Sequence, residues 1–417
     1  MKIAIVGAGI IGVTTAWELV SDGHEVTVFE RRGAAAEEAS FANAGVVAPG
    51  YVTPWAAPGM RGKVLRSLLS SHGAIKLRWP LASRDLGWLS RWQKACKLET
   101  YLANRARMQR LAFYSRNRLH EVTEARELSY ERSDGYMVLL RSKRDRKLVQ
   151  PGLDVLRAAG SVFKEIDADE ARLIEPALNP DTPLVGAIHL PEDEVANCRQ
   201  FALLLKWEAE SFGAQFHFNC DIAPLSRAAP TSLSLASGSD PVRYDAVVVC
   251  AGLASAALLR PLGLRIPMAP VYGHSVSAPI REPLNAPRSA VMDERYKVAI
   301  SRLGQRVRVA GSAEIGGSLD TMNPAAVQTL YKVLHDWFPG AATLQSGVQQ
   351  WKGARPMLPD GPPVLGASGI PGVWLNLGHG SSGWALSCGS ARVLGDLIAG
   401  QDPGIDLEGL GVERLSL

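Results

Sequence analysis

The chain opens with apolar runs broken by small and polar residues in the order strand, turn, helix, strand. Lys2-Ile3-Ala4-Ile5-Val6 is a short continuous apolar run suited to a parallel strand buried on both faces. Val13 to Val20 follows with helical spacing, and His24 to Glu30 predicts a second strand that ends in an acid. Further on, Gly62 to about Leu128 predicts helix, with breaks near Gly73, Pro80 and Gly87. Tyr130 to Leu140, with Asp134-Gly135 inside it, predicts a hairpin. A helix over Lys143 to Ala159, a strand over Ser161 to Ile166 and a short helix from Asp169 to Ile174 come next. Strands are expected at Gly186 to Leu190, Ala214 to Phe218 and Tyr244 to Gly252, with a helix from Cys198 to Phe212 between the first two. Val271 to Ala278, Tyr296 to Ser301 and Arg306 to Ala310 alternate apolar and polar residues, as strands of an antiparallel sheet do. Two late helices, Asn323 to Phe338 and Ala385 to Ile398, complete the pattern.

The expected fold class is therefore α/β, with a Rossmann-type nucleotide-binding domain and a second α+β domain on a mostly antiparallel sheet. Residues 1–60, 143–265 and 345–417 would form the first, discontinuous domain, and residues 61–142 and 266–344 the second.

Chemistry concentrates where the first apolar run breaks. In Gly7-Ala8-Gly9-Ile10-Ile11-Gly12, Gly7 permits a tight turn, Gly9 lets a pyrophosphate approach the backbone, and Gly12 lets helix and strand pack closely. The helix start offers free N–H groups and a positive dipole end. Glu30 is placed to accept hydrogen bonds from an adenosine ribose. NAD and FAD fit this unit equally, and Arg31-Arg32 suits a solvated turn as well as a 2′-phosphate. Two later stretches stand out. Arg355, between Gly353-Ala354 and Pro356, sits on constrained backbone and can be aimed at a carboxylate or left on a surface loop. Gly378-His379-Gly380-Ser381-Ser382-Gly383 opens a helix and forms a second candidate anion or carbonyl site. No residue spacing suggests a metal, and neither serine has a G-x-S-x-G context.

Bulk composition narrows the class. The 417 residues are 47% apolar and 21% charged, as in a globular protein with a large core. No apolar run is long enough to span a bilayer, and the N-terminal run leads into the glycine turn with nothing that resembles a cleavable leader. Five scattered cysteines argue for a reducing compartment, hence a cytoplasmic chain. Net charge is +4, yet Arg61 to Arg118 holds fourteen Lys/Arg against Asp85 and Glu99, giving +12 there and −8 elsewhere. Trp79, Trp88 and Trp92 interleave with those cations, and Val64, Leu65, Leu68 and Leu69 flank Lys63 and Arg66. This segment fits peripheral docking on an anionic cytoplasmic membrane, with packing on protein as the alternative. Nucleic acid is discounted because no recognition motif accompanies the charge.

The chain resembles the FAD-dependent D-amino-acid oxidase superfamily, and within it the bacterial D-amino-acid dehydrogenases. The resemblance rests on Gly7 to Gly12, Ser40-Phe41-Ala42-Asn43-Ala44-Gly45, and Pro49-Gly50-Tyr51 running into Pro54-Trp55-Ala56-Ala57-Pro58-Gly59. Gly353 to Pro356, Asp360 to Pro363 and Trp374 to Gly380 extend it to the end of the chain. It implies FAD as the cofactor and a D-amino acid as the substrate, oxidised to an imino acid by hydride transfer to flavin N5 and then hydrolysed. It also implies FAD contacts at Gly7 to Gly12, Glu30, Arg31, Ser40, Asn43, Ala44, Gly45, Val46, Ile222, Ala251 and Gly252, and along Gly378 to Gly383. Arg355 matches the arginine that grips the substrate carboxylate, with His274 and Tyr51 as further catalytic candidates.

Three departures qualify the match. The second carboxylate-binding arginine of glycine-using relatives is absent near Ser381, and His274 stands where some dehydrogenases carry tyrosine. No cysteine lies between Cys250 and Cys388, so the FAD is expected to be non-covalent. The acceptor expected of a dehydrogenase is a quinone. The alternatives are an oxidase of glycine, sarcosine or another secondary amino acid using dioxygen, or a non-catalytic FAD subunit of a larger complex.

Overall fold

The computed structural model describes residues 1–60, 62, 75–78, 81–158 and 160–415. Its first layer is a six-stranded sheet begun by β1 (Lys2–Val6), helix α1 (Ile10–Ser21) and β2 (Glu25–Phe29). Val26, Val28 and the whole apolar run of β1 are buried, so the sheet needs cover on both faces. Chain order continues with β3 (Val46–Val47), β4 (Ile75–Leu77), α2 (Ser83–Ala95), α3 (Leu98–Ala125), β5 (Arg132–Leu140) and α4 (Lys143–Ala158). Next come β6 (Lys164–Ile166), α5 (Ala168–Ile174), β7 (Gly186–Ala196), α6 (Cys198–Ser211) and β8 (Gln215–His217). A small ribbon, β9 (Ser232–Leu233) with β10 (Val242–Arg243), precedes β11 (Ala246–Val249) and α7 (Ser255–Leu259). The second half holds β12 (Ala269–Pro279), β13 (Ala290–Asp293), β14 (Val298–Leu303), β15 (Arg306–Ile315), α8 (Pro324–Trp337) and β16 (Gln349–Met357). Strands β17 (Val364–Ala367) and β18 (Val373–Leu377) then lead to α9 (Gly383–Ala399).

The smaller sheet runs β17-β18-β11-β1-β2-β8, parallel except for β17. Helices α1, α3, α6 and α9 share one apolar cluster on it, through residues such as Val13, Leu111, Phe201 and Leu386. The larger sheet runs β16-β12-β15-β14-β13-β5-β7-β3, with β4 on β15 and β6 on β7. It is antiparallel apart from the β5–β13 and β4–β15 pairs. The expected pairing of a parallel nucleotide-binding sheet with a mostly antiparallel one is the fold observed.

Several local expectations need correction. Tyr130 to Leu140 is no hairpin: β5 runs straight through, and its register against β7 shifts at Gly135, which has φ +91°. The extra residues lie on β7, where Pro191, Glu192 and Asp193 stand opposite Gly135 alone, so the left-handed glycine is met by irregular pairing rather than by a reversal. Gly87 does not break α2, because Trp88 and Trp92, one turn apart, are both buried and hold the helix down. The breaks near Gly73 and Pro80 lie outside the described residues, as do Trp79 and the Lys63–Leu69 stretch. The domain boundaries also shift. Strands β6, β7 and β16, assigned to the nucleotide lobe, belong to the larger sheet, and α3, assigned to the second lobe, packs on α9 beside the smaller one.

A buried ionic knot ties α8 to the back of the larger sheet. Arg141 Nε donates to Asp293 Oδ2 at 2.6 Å, Trp337 Nε1 donates to the same oxygen at 2.7 Å, and the Tyr296 amide reaches Asp293 Oδ1 at 3.1 Å. Asp336 takes the other end of the Arg141 guanidinium at 2.8 Å, and that guanidinium lies 4.8 Å from the Trp337 ring centroid. Removing one partner strands a buried charge. Asp293→Ala should therefore lose roughly 3–5 kcal/mol of stability, read as a drop in thermal midpoint against wild type.

Candidate functional site

One cavity of about 2160 Å³ opens between the two sheets, at the carboxyl ends of β1, β2 and β11. All the site residues proposed from sequence line it except Ala8 and Gly12, which lie beneath its wall.

At the β1–α1 turn Gly7 has φ +105°, and a Cβ on it would lie 2.7 Å from the Cys250 carbonyl oxygen. A Cβ on Gly12 would fall 1.8 Å from the Gly7 oxygen, so helix and strand touch backbone to backbone. Gly9 differs. Its Cβ would meet only Ser40 Oγ, at 3.5 Å, so nothing inside the protein demands glycine there. That vacant approach is what a pyrophosphate against the helix start requires. Helix α1 begins at Gly9, which has no side chain to cap it, so that Ser40 alone reaches its first amide, and α9, whose first turn also lines the cavity, begins uncapped at Ser382. Both starts present N–H groups and a positive dipole end to the cavity.

Around this turn the sequence folds back on itself. Glu30, at the end of β2, accepts from the Ala8 amide through Oε2 and from the Arg32 amide through Oε1, both at 2.8 Å, which locks the acid at the cavity edge. Arg31 donates to both carboxylate oxygens of Glu38, at 2.6 and 2.8 Å, and Arg32 joins the same acid. Both guanidinium groups are thus turned toward Glu38, which favours the solvated turn over a 2′-phosphate site. Ser40 Oγ accepts from the Ile10 amide at 3.0 Å, and Asn43 Oδ1 from the Gly45 amide at 3.0 Å, pinning the small-residue loop along the cavity. Ala44 is held through its carbonyl by Ser301. Cys250 lines the wall near Gly7, but burial pushes its thiol up to about 12, so it is a poor nucleophile.

On the larger sheet, β12 and β16 pair so that Val271 lies opposite Arg355 and Gly273 opposite Gly353. The Arg355 side chain crosses the floor where Gly273 has none: a Cβ at 273 would lie 2.3 Å from Nη2. Nη1 donates to the Ser312 carbonyl at 3.0 Å, and the Trp55 ring lies 5.9 Å away. Among the described residues no carboxylate pairs with Arg355. Burial alone lowers its pKa, to about 10, and the group stays cationic at neutral pH.

His274 sits beside Arg355, but as a support. Asn323 donates its amide to Nε2 at 3.4 Å, which leaves the ring proton on Nδ1, facing Ser312 Oγ at 2.8 Å. Burial first, then Lys352 and Arg355, brings its pKa down to about 4. With both nitrogens engaged it is not placed to exchange protons with a substrate, which corrects its expected catalytic role. His379 is likewise neutral, lowered to about 3 by burial and bound to Ser390 Oγ at 2.9 Å. Tyr51 lines the cavity with its ring edge-on to Tyr136, and burial holds its hydroxyl protonated.

Ser312 was not foreseen. It has φ +62°, lines the cavity, and joins Arg355 to His274. A non-glycine residue in that backbone region is strained by about 1–3 kcal/mol and marks a site held by its surroundings. Nothing in Ala310-Gly311-Ser312-Ala313 signals this, because the strain comes from a shift of register between β12 and β15 near Tyr272 and His274. Asn376, at the end of β18, was also missed. Its Nδ2 donates to Thr15 at 3.0 Å, while its buried Oδ1 finds no partner among the described residues.

The chain matches the FAD dependent oxidoreductase (DAO) family over residues 2–397 and belongs to it. It is 42% identical over 416 residues to a D-amino acid dehydrogenase of Cereibacter sphaeroides (strain ATCC 17029 / ATH 2.4.9), covering 99% of this chain and 95% of that one. A D-amino acid dehydrogenase of Rhizorhabdus wittichii is 41% identical, with 99% of this chain and 100% of the relative covered. Glycine oxidase from Geobacillus kaustophilus shares the fold with a TM-score of 0.75 at 21% identity, over 99% of this chain and 98% of that one. L-alpha-glycerophosphate oxidase from Mycoplasma pneumoniae, solved with FAD bound, has a TM-score of 0.70 at 17% identity, over 95% and 94%. The protein is an FAD-dependent oxidoreductase, and the free space at Gly9 and the uncapped helix starts fit the dinucleotide.

Two measurements check this site. Gly9→Val meets no clash within the protein, so it should fold normally and purify colourless, whereas acid precipitation of the yellow wild type should release its flavin into solution. For His274, the unfolded chain takes up a proton near pH 6.5 and the folded chain only near 4. Falling pH thus favours the unfolded state across that window. The stability advantage of wild type over His274→Gln should shrink between pH 6.5 and 4, by denaturant titration at each pH.

Proposed function

We propose that the chain oxidises D-amino acids, with Arg355 as the carboxylate clamp and a quinone as the electron acceptor. The observation that carries this is a buried guanidinium on the cavity floor with no acid of its own among the described residues, bedded on Gly273 and braced by the Ser312 carbonyl. A cation so placed favours an incoming carboxylate, and its fork can take both oxygens. The names of the relatives supply the substrate class, and the term dehydrogenase supports an acceptor other than dioxygen.

The cofactor, when bound, would supply the acceptor for the hydride of the substrate α-carbon. The protein's part is to orient. Arg355 fixes the carboxylate, and with it the enantiomer whose C–H faces inward; positioning at roughly 3–3.5 Å is where most of the rate arises. Tyr51, kept protonated by burial, can donate a hydrogen bond to the substrate. Trp55, Ala299, Ala310 and Met292 give the cavity apolar walls, which disfavour an ammonium and so favour the neutral amine that oxidation needs.

Arg355→Lys keeps the charge but loses the fork and should bind FAD while reducing it more slowly with D-alanine. Arg355→Ala should lose at least tenfold in kcat/KM for each ~1.4 kcal/mol of carboxylate binding removed. Anaerobic stopped-flow mixing reads both. Wild-type rates in Arg355→Ala would place the clamp elsewhere.

A further inference from the structure

The pairing of β12 with β15 slips at one place. Tyr272 lies opposite Glu314 and His274 opposite Gly311, so that Gly273 alone faces two residues, Ser312 and Ala313. A bulge of this kind re-aims a side chain on the longer strand. It sits beside two positions that exclude a side chain. A Cβ on Gly311 would fall 2.8 Å from Val298 Cγ2, and one on Gly273 would fall 2.3 Å from Arg355 Nη2. Ser312 is thereby turned into the cavity wall next to Arg355, with its carbonyl on Nη1 and its hydroxyl toward His274.

The direction of each hydrogen bond here follows from the atoms available. Asn323 donates its amide to His274 Nε2 at 3.4 Å. Asn323 is itself fixed, since its Nδ2 donates to Glu314 Oε2 at 2.6 Å and Glu314 Oε1 holds Lys352 at 2.7 Å. A neutral imidazole carries one ring proton, and with Nε2 accepting, that proton is on Nδ1. Nδ1 therefore donates to Ser312 Oγ, at 2.8 Å. A hydroxyl has one proton and two lone pairs. His274 occupies a lone pair, and the Ser312 proton has no acceptor among the described residues. Beside it, Arg355 engages the Ser312 carbonyl through Nη1, while Nε and Nη2 have no hydrogen-bond partner among the described residues. Free donors of two adjoining side chains thus face one space.

We infer that the Ser312 hydroxyl is a second donor to the substrate carboxylate, beside the Arg355 fork, which rests on the clamp reading of Arg355 above. A carboxylate offers about four lone-pair positions on its two oxygens, more than one guanidinium edge fills. The fork by itself leaves the substrate free to rock about the guanidinium. A donor from a different strand removes that freedom and so acts on the angle of the α-carbon C–H. His274 is then a positioning residue, which touches no substrate and keeps the hydroxyl proton turned outward. The positive φ of Ser312 has a use in this arrangement, because one residue presents its carbonyl to the arginine and its hydroxyl to the ligand.

The test uses the full-length, FAD-loaded protein. Propionate, which is D-alanine without its amine, serves as a non-oxidisable probe in titration calorimetry, and D-alanine as substrate in anaerobic stopped flow. Ser312→Ala keeps the carbonyl under Arg355 and removes the hydroxyl. Ser312→Gly does the same while relieving the positive φ, so a folding defect in the first does not decide the result. Loss of a hydrogen bond to a charged acceptor should weaken propionate about tenfold or more in both variants. Flavin reduction at saturating D-alanine should slow as well, with flavin content unchanged. The antisymmetric carboxylate stretch of bound, isotope-labelled propionate should shift in both, since one oxygen loses a donor. Wild-type affinity for propionate in both variants would overturn the inference. So would weaker binding with an unshifted carboxylate band, which would make the hydroxyl only a prop for Arg355. If wild type itself neither binds propionate nor has its flavin reduced by D-alanine, the clamp reading fails, and this inference with it.

Discussion

A helix can start at the edge of a sheet only if its first turn clears the strand that feeds it. Here the clearance is minimal: the Gly7 oxygen and the Cα of Gly12 are in contact, and any side chain at 12 would collide with backbone. That contact places the uncapped start of α1 over the carboxyl edge of the sheet, with Gly9 facing open space. Glu30 can then reach the Ala8 amide, Ser40 the Ile10 amide, and the small-residue loop follows the rim as far as β3, which pairs with β7 of the other sheet. The cavity between the sheets is a consequence of that one close approach.

The parts legible in the sequence were those whose cause is local. The glycine turn, the acid at the end of β2 and the buried run of β11 each follow from a few adjacent residues. Arg355 was visible as a candidate because its glycine and proline neighbours are in the chain. Its bed was not: Gly273 lies 82 residues earlier and meets it only through the β12–β16 register. Ser312 carries no local sign, since its positive φ comes from a strand bulge. The pairing of charges in the basic segment was hidden for the same reason. A window charge of +12 cannot see that Arg118 meets Glu18, or that Arg107 and Arg110 meet acids some 300 residues away.

Two buried charge groups elsewhere in the larger sheet are matched by acids, while Arg308 is held by Ser277 Oγ and the Asn43 carbonyl. Lys352 and Glu314 pair at 2.7 Å, with Ser318 and Thr321 carbonyls and Asn323 Nδ2 filling the remaining positions, and Arg141 is shared between two aspartates. Such pairs add little net stability, but losing one member is expensive. Against that background two arginines in the cavity wall have no acid among the described residues, Arg355 on the floor and Arg105 beside α4. An uncompensated buried cation is destabilising unless something arrives to balance it. The fold tolerates both because Arg355 is braced by the Ser312 carbonyl and Arg105 by the Gly152 carbonyl and Tyr101 Oη, which holds each guanidinium in place and leaves its charge available. In the proposed reading the protein supplies position and the substrate carboxylate supplies the countercharge at Arg355, so that binding there completes the electrostatics of the folded state.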